Sequence, residues 1–176
     1  VNYGGLFVHT FFNLVPPATH FATHPEWYSE LDGQRVGGAG EYVQLCVTNE
    51  ELKRFTAQQV LAHLAAHPEA NIVSVSQNDT DNHCRCATCQ ALEDEEGSPA
   101  GPLLHFVNYV AAEVAKQYPN VAIDTLAYQY TRKPPRRVKP LPNVIVRLCS
   151  IECDFAHPLT AESNRAFADD IVGWSK

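Results

Sequence analysis

The segment Ser74-Val75-Ser76-Gln77-Asn78-Asp79 is apolar and β-branched until it ends abruptly in two amides and a carboxylate. In an α/β barrel only residues at the carboxyl ends of strands reach the open face, so Asn78 and Asp79 are placed like active-site groups. Five residues after Asp79 begins Cys84-Arg85-Cys86-Ala87-Thr88-Cys89. Three thiols at this spacing make either a staple or a metal knuckle beside the carboxylate.

Other chemistry-bearing residues recur at the ends of apolar runs: His9, Asn49, Tyr128 with Tyr130, and Glu152. Six cysteines are present, Cys46, Cys84, Cys86, Cys89, Cys149 and Cys153. Thiolates at two-residue spacing suit a tetrahedral zinc held by the triple plus Cys46 or Cys149. Disulfides and buried free thiols are the other two outcomes the sequence leaves open. Each of the three is structural. The histidines His20, His24 and His83 show no spacing that specifies a catalytic metal.

These residues must be positioned by regular elements, and the chain alternates strand-like and helix-like runs. Strands are expected over 5–12, 41–47, 71–76, 121–128 and 143–149. Asn49 is expected to cap a helix whose first turn carries Glu50 and Glu51 and whose stripe is Phe55, Val60, Leu61 and Leu64. A second helix is expected over 99–118, and a helical apolar spacing recurs over 166–174. The run from Thr131 to Pro140 is too rich in proline for a long helix. Its Arg132, Lys133, Arg136, Arg137 and Lys139 either meet an acidic sugar or make a solvated face.

The order predicts a (β/α)8 TIM-barrel-type domain, of which 1–176 forms a fragment covering roughly strands 2 to 6, with both ends looking cut. A doubly wound sheet is disfavoured because no glycine-rich turn follows the first strand. With 176 residues, 45% of them hydrophobic, one domain with a real core is expected. A net charge of -7 and a pI near 5.5 argue against a nucleic-acid partner. No apolar run is long enough to span a membrane.

Several motifs, taken in order, resemble one known family: His24-Pro25-Glu26-Trp27-Tyr28 with Asp32-Gly33-Gln34-Arg35, Gln44-Leu45-Cys46-Val47-Thr48-Asn49, the Gln-Asn-Asp and triple-cysteine block, Tyr128-Gln129-Tyr130 with Pro134-Pro135, and Arg147-Leu148-Cys149-Ser150-Ile151-Glu152-Cys153. The resemblance is to the glycoside hydrolase family 163 type, a domain of unknown function (4838) related to α-glucuronidases. It implies a glycosidase barrel, with endo-β-N-acetylglucosaminidase action on N-glycans as the activity, an oligosaccharide or glycoprotein glycan as the partner, no catalytic cofactor, and a secreted, periplasmic or cell-surface location.

Related retaining barrels carry an acid pair after strand four, and here that pair reads Asn78-Asp79 in place of Asp-Glu. Glycoside cleavage needs two carboxyl groups across the scissile bond. Asp79 is therefore expected as the acid and Glu152 as its partner, with Asp81 and Glu41 in reserve. His9, Asn78, Tyr128, Tyr130 and Trp27 are expected to contact sugar, the two tyrosines sharing one side of an extended chain. For Trp27 the competing role is to anchor its loop. The competing function is a non-catalytic carbohydrate-binding domain with the same residues.

Overall fold

The computed structural model describes residues 1–38, 40 and 42–176. Two short helices open it, α1 (Phe11–Leu14) and α2 (Pro17–His20), followed by a 3-10 turn at Pro25–Trp27. Next comes a hairpin, β1 (Glu30–Leu31) and β2 (Gln34–Arg35). Asp32 and Gly33 both take positive φ in its turn, at 50° and 77°. A two-residue Asp-Gly loop of this kind matches the twist of paired strands.

The main framework is α3 (Glu50–Ala66), β3 (Ile72–Ser74), α4 (Ala87–Glu96), α5 (Ala100–Ala115), β4 (Ala122–Ala127) and β5 (Val144–Leu148), with α6 (Arg165–Trp174) closing the chain. Asn49 caps α3 as expected, its Oδ1 accepting from Leu52 N at 2.9 Å. The helix turns its buried Leu52, Val60 and Leu64 toward α5, whose Leu104, Phe106, Val107 and Val110 are also buried. Pro68 prevents α3 from continuing.

Strand β4 lies between β3 and β5, parallel to both, with Val73 beside Ile123 and Ile123 beside Val144. Those apolar residues join the helical core. The opposite face carries Ser74, Asp124 and Arg147. There the guanidinium grips buried Asp124 twice, Nη2 to Oδ1 at 2.6 Å and Nε to Oδ2 at 3.1 Å.

The expected (β/α)8 barrel is corrected by this topology. Among the described residues the parallel sheet has three strands and no barrel closes. The expected strand over 5–12 does not form, because Gly4, Gly5 and His9 sit at φ of 57°, 95° and 52°, which breaks an extended register. The segment still runs beside β3: Ser74 N donates to Leu6 O, and Thr10 N to Ser76 O. Of the expected strand over 41–47, the described residues 42–47 form one bridge, Tyr28 with Leu45. Its backbone bonds go to loops instead, Gln44 N to Asn82 O and Cys46 N to Trp27 O. Helix α4 and the hairpin are elements that sequence periodicity did not indicate.

Candidate functional site

The carboxyl ends of three parallel strands converge with the N-terminal segment at one edge of the sheet. After β3 the chain stays buried through Gln77 and Asn78 and emerges at Asp79. After β4 comes Tyr128, whose Oη donates to Asp79 Oδ1 at 2.9 Å. Gln129 Nε2 donates in turn to Tyr128 Oη at 3.1 Å. The His9 ring lies 5.8 Å from that of Tyr128, and its Nδ1 pairs with Gln77 O at 2.8 Å. Both His9 and Gln129 hold left-handed backbone, at φ of 52° and 49°. Two non-glycine residues in that conformation at one edge mark stored strain of the kind found at functional sites. Burial, then the bond to Asp79, raises the Tyr128 phenol above its ordinary range. It therefore serves Asp79 as a donor.

The remaining expected site residues are placed differently. Asn78 is 1% exposed, and its Nδ2 donates to Val43 O at 2.7 Å. It ties the Asp79 loop to the segment before α3. Gln44 completes that tie, with Nε2 donating to Asn78 O and Thr80 O and Oε1 accepting from Asn78 N. Residues 129–131 form a 3-10 turn, so Tyr128 and Tyr130 do not alternate as in a strand. The expectation that they share one side is corrected: Tyr130 stacks on His83 at 4.5 Å, away from the Asp79 bond. Trp27 is 3% exposed and stacks on His24 at 4.0 Å, so it anchors its loop.

Glu152 follows β5 and meets Arg132 Nη1 at 3.8 Å, while Arg132 Nε holds Asp170 at 2.6 Å. Two members of the basic run are thus answered by the chain's own acids, Arg132 in this way and Arg137 by Glu95. Glu41 lies outside the described residues.

The cysteines form a second centre. Cys46 from the segment before α3, Cys84 and Cys86 from the loop after Asp79, and Cys89 from the first turn of α4 are all buried. Their Sγ atoms lie within 4.8 Å of one another. Cys46 Sγ is 3.7 Å from Cys86 Sγ and 3.8 Å from Cys89 Sγ. Zn–S bonds of about 2.3 Å at tetrahedral angles set sulfur separations of about 3.8 Å. A disulfide needs about 2.05 Å, and all six cysteines are free. Between the two sequence alternatives for the fourth thiol, Cys46 joins the triple and Cys149 does not.

Polar groups converge on the sulfurs from outside: Glu30 N to Cys84 at 3.3 Å, Arg35 Nη1 to Cys84 at 3.6 Å, and Thr48 Oγ1 beside Cys89 at 3.1 Å. Bonds from Cys84 and Cys89, with Arg35 adding to them, drive the Cys46 thiol far down. The same sharing pushes Cys84 up to about 12. The donor set fits zinc, and four protein thiolates leave no open coordination position, so the ion would supply stability and no catalysis. An adjoining cavity of about 20 Å³, lined by Gln44, His83, Cys89 and Tyr130, has room for a single water.

A family model described as a domain of unknown function, DUF4838, matches residues 1–176. The chain belongs to that family. Comparison with curated proteins and with solved structures gave no match. Within this DUF4838 chain, two participants escaped the sequence reading. Tyr42 accepts the Asp79 N–H at 3.1 Å through its Oη. Gln44 had a usable signal, since a lone amide among Val43, Leu45 and Cys46 must find partners if it is buried.

Proposed function

We propose that this DUF4838 domain is a glycoside hydrolase acting on N-acetylglucosamine-containing glycans, with Asp79 as the acid and Glu152 as its partner carboxylate. The observation that carries the proposal is the exposed Asp79 residue beyond the carboxyl end of β3, its carboxylate bonded by Tyr128, whose ring lies near that of His9, and its main-chain N–H bonded to Tyr42. In open α/β sheets ligands bind beyond the carboxyl ends of the strands, so this edge is favoured without any need for a closed barrel. A carboxyl group beside phenols and an imidazole suits a neutral polyhydroxy ligand, and the acidic chain disfavours a nucleic acid. No helix among the described residues is long and apolar enough to cross a membrane.

One observation favours the second reading, carbohydrate binding without cleavage: Glu152 is engaged by Arg132. The two readings part in a glycan digest. The protein is incubated beside Asp79→Asn and Glu152→Gln versions with high-mannose and complex N-glycoproteins, and released sugars are followed by mass spectrometry. Release lost in both variants supports the hydrolase and its pair. If the unsubstituted protein releases nothing but is retarded on a glycan column, the binding reading replaces it.

A further inference from the structure

We propose that Tyr42 is a stacking platform of the Asp79 site, so that the ligand is a pyranose presenting an apolar C–H face beside this carboxylate, as a β-linked N-acetylglucosamine does. The inference rests on the carbohydrate reading above and names the subsite that reading lacks.

Tyr42 is 46% exposed, yet it is held on three sides. Its Oη accepts from Asp79 N at 3.1 Å, its ring meets Phe12 edge-on at 5.8 Å and 87°, and its carbonyl accepts from Asn82 Nδ2 at 3.2 Å. An exposed aromatic ring is costly to hydrate, and a pinned one has already lost the freedom that binding would otherwise remove. Exposure and pinning together are what a sugar platform requires.

The other strongly exposed aromatic rings lack that combination beside Asp79. Arg147 lies over the Phe7 ring at 4.6 Å. Phe155, 79% exposed, belongs to the turn region after β5. Two phenols instead address one residue, Tyr128 at the Asp79 carboxylate and Tyr42 at its main chain.

Calorimetric titration with N,N′-diacetylchitobiose and a free N-glycan, using the unsubstituted protein, Tyr42→Phe and Tyr42→Ala, tests this, with thermal melting run on each. The platform predicts that Tyr42→Ala weakens binding about tenfold or more while Tyr42→Phe stays within about threefold. Equal loss in both would mean that the Oη bond matters and the ring does not, which overturns the platform. Unchanged binding by Tyr42→Ala also overturns it and leaves the carbohydrate reading standing. If the unsubstituted protein neither binds nor cleaves any glycan, the carbohydrate reading falls and the platform with it.

Discussion

Tyr128 Oη donates to Asp79 Oδ1 at 2.9 Å, joining the ends of β3 and β4 through a single hydrogen bond. The residues are 49 apart in sequence, and the parallel register of Ser74 with Asp124 brings them together. Removing this donor without removing the ring isolates its contribution. Under the proposed hydrolase function, Tyr128→Phe is expected to lower glycan release about tenfold or more, the usual worth of a hydrogen bond to a charged group. Melting should shift little, because the pair lies at the surface. Rates and melting curves measured side by side check this; a large loss of stability with unchanged kinetics would assign Tyr128 to the fold alone.

The cysteine centre predicts a metal effect independent of glycans. Zinc added to metal-free protein is expected to bind in a one-to-one ratio and raise the melting temperature, and a strong chelator to reverse the rise. Cys86→Ser and Cys89→Ser should abolish this response, whereas Cys149→Ser should not. Binding must deprotonate thiols such as Cys84, which is held up near 12, so zinc affinity rises with pH and protons are released on binding. Elemental analysis and titrations in buffers of different ionisation enthalpy read both quantities.

The sequence was most legible where chemistry and periodicity agree. The Asn49 cap, the apolar stripes of α3 and α5 and the runs of β3, β4 and β5 each announce themselves locally, and each formed. The N-terminal run from Gly5 to Phe12 looked equally strand-like, but its path depends on left-handed backbone at His9, which residue type alone does not signal. Asp32-Gly33 did carry a hairpin signal, obscured because the flanking strands are only two residues each. The triple-cysteine spacing was readable as a knuckle. Its fourth member, 38 residues upstream of Cys84, could only be chosen once the fold had placed Cys46. Tyr42 was missed because its partner is a backbone N–H, which leaves no trace in sequence.

Glu96 provides a pH test of the fold. It is 3% exposed, with Oε2 accepting from Arg137 N at 2.8 Å and Val138 N at 3.2 Å, and Oε1 facing His105 Nε2 at 3.1 Å. Burial alone would raise this carboxyl, but the donated bonds outweigh it and hold it below the ordinary carboxylate range. A depressed carboxylate contributes stability that is present above its unfolded value and is lost as pH falls through the folded one. Glu96→Gln is therefore expected to cost about 2 kcal/mol at neutral pH and to flatten the decline of stability below that value. Urea titrations across the acid range measure both. Gly101→Ala should mimic part of the loss, since a Cβ there would lie 2.3 Å from Glu96 Cβ.

Gln44 links the two centres through one side chain. It sits between Val43, whose carbonyl holds Asn78, and Cys46, which enters the thiol cluster two residues on. Its amide spans the loop from Asn78 to Thr80, at 2.7 Å and 2.6 Å from their carbonyls and 2.9 Å from Asn78 N. Truncation would strand the N–H and carbonyl of Asn78, which is 1% exposed, and the carbonyl of half-buried Thr80. Gln44→Ala is expected to cost about 3 kcal/mol. Gln44→Glu should also destabilise, because a carboxylate can accept from Asn78 N but must then face two carbonyls with no proton to offer. Zinc should still bind to either variant that folds, since the hydrogen bonds of the Gln44 amide go to the Asn78 and Thr80 backbone and to no thiol. Glycan release should fall further than stability does, because the Asp79 loop loses its anchor. Release per folded molecule, obtained by dividing rate by the folded fraction from denaturation, is the deciding quantity: if it equals that of the unsubstituted protein, Gln44 supports the core and has no part in placing Asp79.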